Sequence, residues 1–435
     1  MIVPMKFKVV TLGCRTNQYE SAAYERQLRA LGGAAASEEA DLCIVNTCTV
    51  TEGADSSSRH QIRQLRRKNP NAKIVVTGCL ADRLPEAIAG MEEVDLVVPN
   101  KEKEQLLEKL FPESDLPEFV IDQFGGHTRA FVKVQDGCNS FCTYCIIPYV
   151  RGRSRSRTIG GVVREVEGLV ASGYREVVLT GINIGDFDGQ GTARLSDLVK
   201  AVDDIEGLDR LRLSSIDPDE VEDDLLEAII EGKKTCHSMH IVLQSGSNAI
   251  LKRMNRKYTR QMFFEAIERL QAAAPDFTFT TDIIVGFPGE TEGDFEETLD
   301  AVKRTRFAKV HMFPYSPRER TRAALYTDQV PQRVMMERKQ TLLRFSEKVA
   351  FDLREQYVGK ELEVLLEETD GTHFSGHSDN FLRVRVPDEG YSSNDILRVQ
   401  CMKNGPEGLF GKVIACRSKA PCASNPLRIL SALPA

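Results

Sequence analysis

Short apolar runs alternate with amphipathic stretches through the first hundred residues. KFKVVTLG reads as a strand and NQYESAAYERQLRALG as a helix stopped by Gly32 and Gly33. ADLCIVNT is a second strand, SSSRHQIRQLRRKNP a second helix, AKIVVTG a third strand and EVDLVVP a fourth. Uninterrupted apolar strands separated by helices predict a parallel sheet covered on both faces, over residues 1–115. A polar stretch, PESDLPEFVIDQFGGHT, then reads as a linker over 116–130. Beyond it the alternation resumes on a longer scale. AFVKVQ, EVVLTG, RLRLSS, SMHIVLQ, FTFTTDIIVG and AKVHMFPYS are six strand candidates, with helices such as GGVVREVEGLVASG and RQMFFEAIERLQAA between them. Six repeats of this kind predict a full or partial (β/α) barrel over 131–355. From Tyr357 the pattern changes again. KELEVLLEE, FLRVRVP, DILRVQCM and GKVIACR alternate with period two between Gly- and Asp-rich turns, which predicts a small all-β barrel over 356–417. Residues 418–435 show no periodicity and read as a loose tail. The fold class expected is therefore α/β with a small β-barrel appended.

A length of 435 residues agrees with two to four domains at about 100–200 residues each. No run of about 18 apolar residues is present, so no membrane span is expected. The N-terminus has no signal-peptide pattern, and the protein is expected in the cytoplasm. Eleven cysteines in a reducing compartment point to metal or catalysis rather than to disulfides. A net charge of −7 excludes a uniformly basic nucleic-acid binder and leaves room for local basic patches. Two stand out. Arg151, Arg153, Arg155 and Arg157 alternate in YVRGRSRSR, and Arg59, Arg63 and Arg67 recur every four residues, on one helix face.

The cysteines carry the chemistry. Cys138, Cys142 and Cys145 form CxxxCxxC in DGCNSFCTYCIIP. A structural zinc site takes four ligands, and so does a fully ligated 4Fe–4S cluster. Three thiolates without an obvious fourth predict a cluster with one open iron, the alternative being a zinc knuckle with a distant fourth ligand. Cys14, Cys48 and Cys79 each follow a strand, in LGC, NTC and TGC. Ligands of open α/β sheets gather outside the carboxyl ends of the strands, so these three are expected to converge on a second site. Cys43 lies inside its strand and reads as core. Cys236, Cys401, Cys416 and Cys422 share no spacing, and the seven histidines form no ligand pattern.

An open iron at a barrel mouth can chelate the amino and carboxylate groups of S-adenosylmethionine. One electron passed to the sulfonium then releases a 5′-deoxyadenosyl radical, chemistry that belongs to the cofactor while the protein positions it. Asn183, Ser215, Gln244 and Asp282, at the ends of the strand candidates, are the expected S-adenosylmethionine contacts. No residue is assigned as a catalytic acid or base.

The triplet, with TLGCRTNQYES, VNTCTVT, VVTGCLA, VVLTGINIGDF, IVLQSGSNAILKRMNRKYT, TDIIVGFPGETEGDF and MFPYSPRERTRAA, resembles the methylthiotransferase family of radical S-adenosylmethionine enzymes. The C-terminal segment is similar to a TRAM domain, an RNA-binding β-barrel. The resemblance implies a flavodoxin-like first domain, a radical-SAM partial barrel and a TRAM barrel. It implies two 4Fe–4S clusters, one on Cys138, Cys142 and Cys145, the other on Cys14, Cys48 and Cys79. It implies two S-adenosylmethionine molecules per turnover, one giving a methyl group to cluster sulfur and one making the radical. An electron donor such as flavodoxin or ferredoxin is expected as a partner. Substrates in the family are adenosines next to the tRNA anticodon or an aspartate of a ribosomal protein. LGCRTNQYES resembles the subgroup acting on N6-threonylcarbamoyladenosine, usually LGCKVNQYES, more than YGCQMNEYDS of the isopentenyladenosine type or LGCPKNLVDS of the ribosomal-protein type. Arg15-Thr16 departs from Lys-Val but keeps a basic residue. With tRNA as partner, Arg151, Arg153, Arg155 and Arg157, and Arg383 and Arg385 two apart on one strand, are the expected phosphate contacts. A reading of another class is an iron–sulfur RNA-binding redox sensor without catalysis.

Overall fold

The computed structural model describes residues 5–418. Lys6–Thr11 (β1), Ala34–Ala35 (β2), Leu42–Thr47 (β3), Lys73–Gly78 (β4) and Leu96–Val97 (β5) pair in the order β2-β1-β3-β4-β5, all parallel. That is the order of the flavodoxin-like doubly wound sheet, whose ligand crevice opens where the order reverses, between β1 and β3. Every residue of β3 is buried, as a strand covered on both faces must be. Helix α1 spans Arg15–Ala30 and α2 spans Glu52–Lys68. The second helix starts ahead of the expected Ser56 because Thr51 caps it, its hydroxyl accepting from the Ala54 amide at 3.2 Å. Glu52 and Asp55 in its first turn and Arg66, Arg67 and Lys68 in its last complement the helix dipole.

The barrel strands are Arg129–Lys133 (β6), Glu176–Thr180 (β9), Arg210–Leu213 (β10), Ser215–Ile216 (β11), Ser238–Ile241 (β12), Thr278–Val285 (β13) and Lys309–Pro314 (β14). Between β6 and β9, Gln135–Asp136 (β7) and Arg155–Ser156 (β8) form a small antiparallel clip. Pairing runs β6-β9-β10 and β11-β12-β13-β14, all parallel. Ser214 alone separates β10 from β11, and a Leu211–Thr235 bridge ties the two sheets, so one wall of six staves turns a corner there. Among the described residues no ladder joins β14 to β6, so the barrel is partial. Helix α1 lies beside that open edge, with Tyr19, Ala22 and Ala23 in the same apolar core as Ala130 and Val132 of β6.

The segment expected to be a linker is a packed strap. Ile121 and Phe124 are buried, the Ile121 amide donates to Glu165 at 2.7 Å, and the Phe124 amide donates to the Tyr174 hydroxyl at 2.6 Å. Polar residues at its surface mask these two anchors in the sequence, and β6 begins at Arg129, before the strap was expected to end.

Helix Gln332–Glu355 leads into a closed barrel of Glu361–Thr369 (β15), His373–Ser378 (β16), Arg383–Pro387 (β17), Ile396–Gly405 (β18) and Gly408–Ser418 (β19), in the order β15-β16-β17-β19-β18. Val364, Leu366, Phe374, Val384, Leu397 and Leu409 fill it. It rests on the amino ends of the partial-barrel strands. Arg210 donates to the carbonyls of His377 (3.0 Å) and Glu363 (2.8 Å), and Arg212 to those of Asp379 (2.7 Å) and Ser378 (2.6 Å). Ser418 ends β19, and the rest of the expected tail lies outside the described residues. No described helix is long and apolar enough to cross a membrane.

Candidate functional site

Cys14, Cys48 and Cys79 sit directly after β1, β3 and β4, three adjacent strands of the first sheet. Gly13 and Gly78 hold φ of +94° and +93°, in the left-handed region that favours glycine. A Cβ on Gly13 would stand 2.7 Å from the Cys48 Cβ, and one on Gly78 would stand 2.5 Å from the Thr47 backbone. The strand ends close on one another because neither position carries a side chain. Asn17 ties them further, donating to the carbonyls of Leu12 (2.7 Å) and Thr47 (3.1 Å).

Cys138, Cys142 and Cys145 lie on the loop after β7. The Cys138 amide donates to the Gly152 carbonyl at 3.1 Å, and Thr143 pairs with the carbonyls of Met254 and Arg253 at 3.0 and 2.9 Å. Arg256 donates to the Cys142 sulfur at 2.9 Å and ion-pairs with Asp217. Three thiolates on one zinc ion, bound at about 2.3 Å, stand about 3.8 Å apart. Neither cysteine triad brings its three sulfurs within 4.8 Å of one another; among the described residues only His237, Asp276 and Asp379 gather three ligand atoms that closely. Three thiolates at each site suit a 4Fe–4S cluster, in which each thiolate binds a different iron.

The two triads are neighbours. Ile146, the residue after Cys145, packs with Val150 directly against Cys79. Arg151 follows, fully buried between the sheet and the barrel. It donates to Glu20 (3.1 Å) and Asp136 (2.7 Å) and also binds Asn17. Lys103 joins Glu20 and Asp136 at 2.5 and 2.9 Å, and Lys133 reaches Glu20 at 3.5 Å. Burial alone would raise the Glu20 carboxyl, but Arg151, Lys103 and Lys133 hold it down to about 2. Lys133 also holds Glu104, at 2.8 Å, and Arg155 reaches Asp136 at 3.4 Å; within this network Arg151 has Cys79 and Cys14 as electrostatic neighbours. Burial pushes the Cys48 thiol up to about 11 and raises Cys79, with Arg151 opposing the latter shift. A bound metal deprotonates such thiols outright, and the adjacent cation suits the anionic product.

This placement corrects the expectation for Arg151, which is inaccessible to a phosphate. Its charge is consumed by Glu20 and Asp136, partners remote in sequence that the arginine run does not reveal. Arg157 likewise turns inward to Glu165 and the Lys133 carbonyl. Arg153 and Arg155 are exposed, Arg153 lying over the Phe141 ring of the cysteine loop at 4.4 Å. Arg383 and Arg385 share a face of β17, each already paired with acids: Arg383 with Glu368, Arg385 with Asp370 and Glu407.

The four expected cofactor contacts divide. Asn183 donates to Glu220 at 2.9 Å, and Glu220 accepts from the Asp217 amide at 3.1 Å, so Cys142, Arg256, Asp217, Glu220 and Asn183 form one chain of contacts. Burial, and then Asp217, push the Glu220 carboxyl up to about 7. Ser215 lies two residues before Asp217 on β11. Gln244 holds φ of +59°, pairs by backbone with Asp282 and Ile284, and buries a side-chain oxygen without a partner. Asp282 stands apart from the Cys142 chain. Phe279, Ile283 and Val285 of β13 pack outward into the core, so Thr280 and Asp282 face the barrel interior. There the His240 Nδ1 contacts Thr280 at 2.9 Å, its Nε2 lies 3.5 Å from Asp282, and the His311 ring is 5.9 Å away. Arg256, Glu220, His240 and His311 were not singled out from sequence. The histidines come from separate strands, and only matching inward parity would have paired them.

Residues 132–302 match the Radical SAM superfamily, and residues 6–99 match a family described as uncharacterized protein family UPF0004. The chain is 49% identical to threonylcarbamoyladenosine tRNA methylthiotransferase MtaB of Chlamydia pneumoniae, over 94% of this chain and 98% of that one. It is 37% identical to the MtaB of Bacillus subtilis, over 93% and 96%. The tRNA-2-methylthio-N(6)-dimethylallyladenosine synthase of Carboxydothermus hydrogenoformans is 36% identical over 86% and 91%. Among solved structures, the radical S-adenosylmethionine methyltransferase TsrM of Kitasatospora setae, with cobalamin and a [4Fe-4S] cluster bound, shares the fold at TM-score 0.53 and 15% identity, over 85% of this chain and 82% of that one.

Proposed function

Because the chain belongs to the radical S-adenosylmethionine tRNA methylthiotransferases, we propose that it adds a methylthio group to C2 of N6-threonylcarbamoyladenosine beside the tRNA anticodon. The observation that supports this reading is the contact of Ile146 and Val150, which follow Cys145 on its loop, with Cys79, so that the two triads are neighbours. Cys138, Cys142 and Cys145 would hold one 4Fe–4S cluster, and Cys14, Cys48 and Cys79 the other. When bound, the first cluster with S-adenosylmethionine supplies one-electron cleavage of the sulfonium, and the second supplies sulfur that accepts the methyl group.

The chain's own residues position these groups. Arg256 fixes the Cys142 side of the loop, and Asp217, Glu220 and Asn183 extend polar contacts from it toward the carboxyl ends of the barrel strands. Arg151, held by Glu20 and Asp136, backs the second triad. Arg153, Arg155, Arg383 and Arg385 remain for phosphate contacts, Arg155 and the β17 pair after displacing their acidic partners. A flavodoxin or ferredoxin would deliver the electron, in the cytoplasm.

The test is mass spectrometry of tRNA nucleosides from cells lacking the gene, with and without its restoration. Loss and return of 2-methylthio-N6-threonylcarbamoyladenosine is the expected result. Loss of the isopentenyl analogue instead would overturn the substrate assignment. No change in either nucleoside, with no 5′-deoxyadenosine formed by the reduced protein, would favour the sensor.

A further inference from the structure

The barrel interior holds a cation that the chain leaves unpaired. Arg15 follows Cys14 at the start of α1, and its guanidinium carbon lies 5.2 Å from the centre of the Phe131 ring on β6. Its electrostatic neighbours include Arg129, Arg212, Asp282 and His311, on β6, β10, β13 and β14. A residue of the first sheet domain thus reaches across the open edge into the barrel. Arg129 and Arg212 are satisfied by Glu367 and Glu176, at 3.2 and 2.5 Å. Arg15 has no hydrogen bond or ion pair with any described residue. The side chain is exposed to solvent, with the Phe131 ring beneath it. It remains a cation at neutral pH, short of an anion. A second polar atom in the barrel interior lacks a hydrogen bond: the buried Nε2 of His240, which lies 3.5 Å from Asp282.

We propose that Arg15 determines substrate specificity by receiving the carboxylate of the threonylcarbamoyl side chain inside the barrel. The inference rests on the function proposed above. An adenosine bearing an isopentenyl group offers no anion there, whereas the threonyl carboxylate does. A guanidinium presents paired donors to a carboxylate. The cation also adjoins Cys14, so binding of the side chain sets the base close to the second triad.

The test compares three anticodon stem-loops on the reconstituted full-length protein. One carries threonylcarbamoyladenosine, one its methyl ester and one isopentenyladenosine. Binding affinity is read alongside KM and kcat. The wild type is expected to bind the acid about 10- to 100-fold tighter than the ester, the range for one hydrogen-bonded charge. Arg15→Gln should bring acid and ester to parity, and Arg15→Lys should restore most of the preference. Because acid and ester are compared on the same preparation, incomplete cluster loading or partial misfolding cancels from the ratio. An Arg15→Gln protein that keeps the wild-type ratio, or a wild type with no preference, overturns the proposal. A wild type that modifies only the isopentenyl stem-loop overturns the function instead, and the two failures are separable.

Discussion

Glu220 is a residue whose ionisation should be visible in the stability of the whole protein. Burial and Asp217 raise its carboxyl from the usual 4.5 to about 7. The folded state therefore binds this proton more tightly than the unfolded chain does. Stability from this group is complete below about 4.5 and is lost as pH rises to about 7. Glu220→Gln removes the ionisation. The variant's melting temperature relative to wild type should be higher at pH 7.5 than at pH 5.5, by a few degrees, since about 1 kcal/mol moves a midpoint by about 2–4 °C in domains of this size. An equal offset at both pH values would show that Glu220 is not held protonated. At this scale the sequence was informative for cysteines and poor for charges. Cys14, Cys48 and Cys79 each follow an apolar run, a purely local signal. Arg151 was misassigned because its role depends on Glu20, 131 positions away.

Helix α2 carries the other basic patch. Arg59, His60 and Arg63 line a cavity of about 770 Å³ with Arg83 and Arg318, beside the loop that carries Cys48. Arg63 has only a distant partner in Glu93, at 4.0 Å, so this face retains charge for phosphates. Replacing Arg59, Arg63 and Arg67 together with Gln should weaken tRNA binding. It should also flatten the slope of log K against log salt by about 2, since each lost phosphate contact removes about 0.7–0.9. Unchanged affinity and slope would confine the RNA to the barrel and its C-terminal partner. Elements with strong apolar periodicity were legible: the parallel sheet, the six staves and most of the small barrel. Strand β16 was not, because HFSGHS has a polar turn-like composition and becomes a strand only through pairing with β15 and β17.

Across the whole molecule, the small barrel is locked to the partial barrel by arginines rather than by an apolar seam. Arg212 holds Glu176 on one side and two carbonyls of β16 and its following turn on the other, all within 2.7 Å. Arg212→Met takes the nearest partner from buried Glu176, leaving Arg210 at 3.7 Å and Arg129 at 3.9 Å, and should cost about 3 kcal/mol, the low end for breaking a buried ion pair. Calorimetry should then show the small barrel melting ahead of the rest; a single transition at the wild-type midpoint would mean that the lock is redundant. The strap at 116–130 escaped a sequence reading because two buried side chains among polar neighbours look like a spacer. A design consequence follows from the position of Arg151. The three cysteines of the first sheet lie within the first 79 residues, but the buried cation beside them is encoded beyond the barrel's own cysteine loop. Cutting and rejoining relatives at the strap would set these thiolates against a charged network drawn from another chain. A working chimera must transplant residues 135–157 together with the N-terminal segment, so the unit of exchange here is the shared electrostatic environment and not the domain.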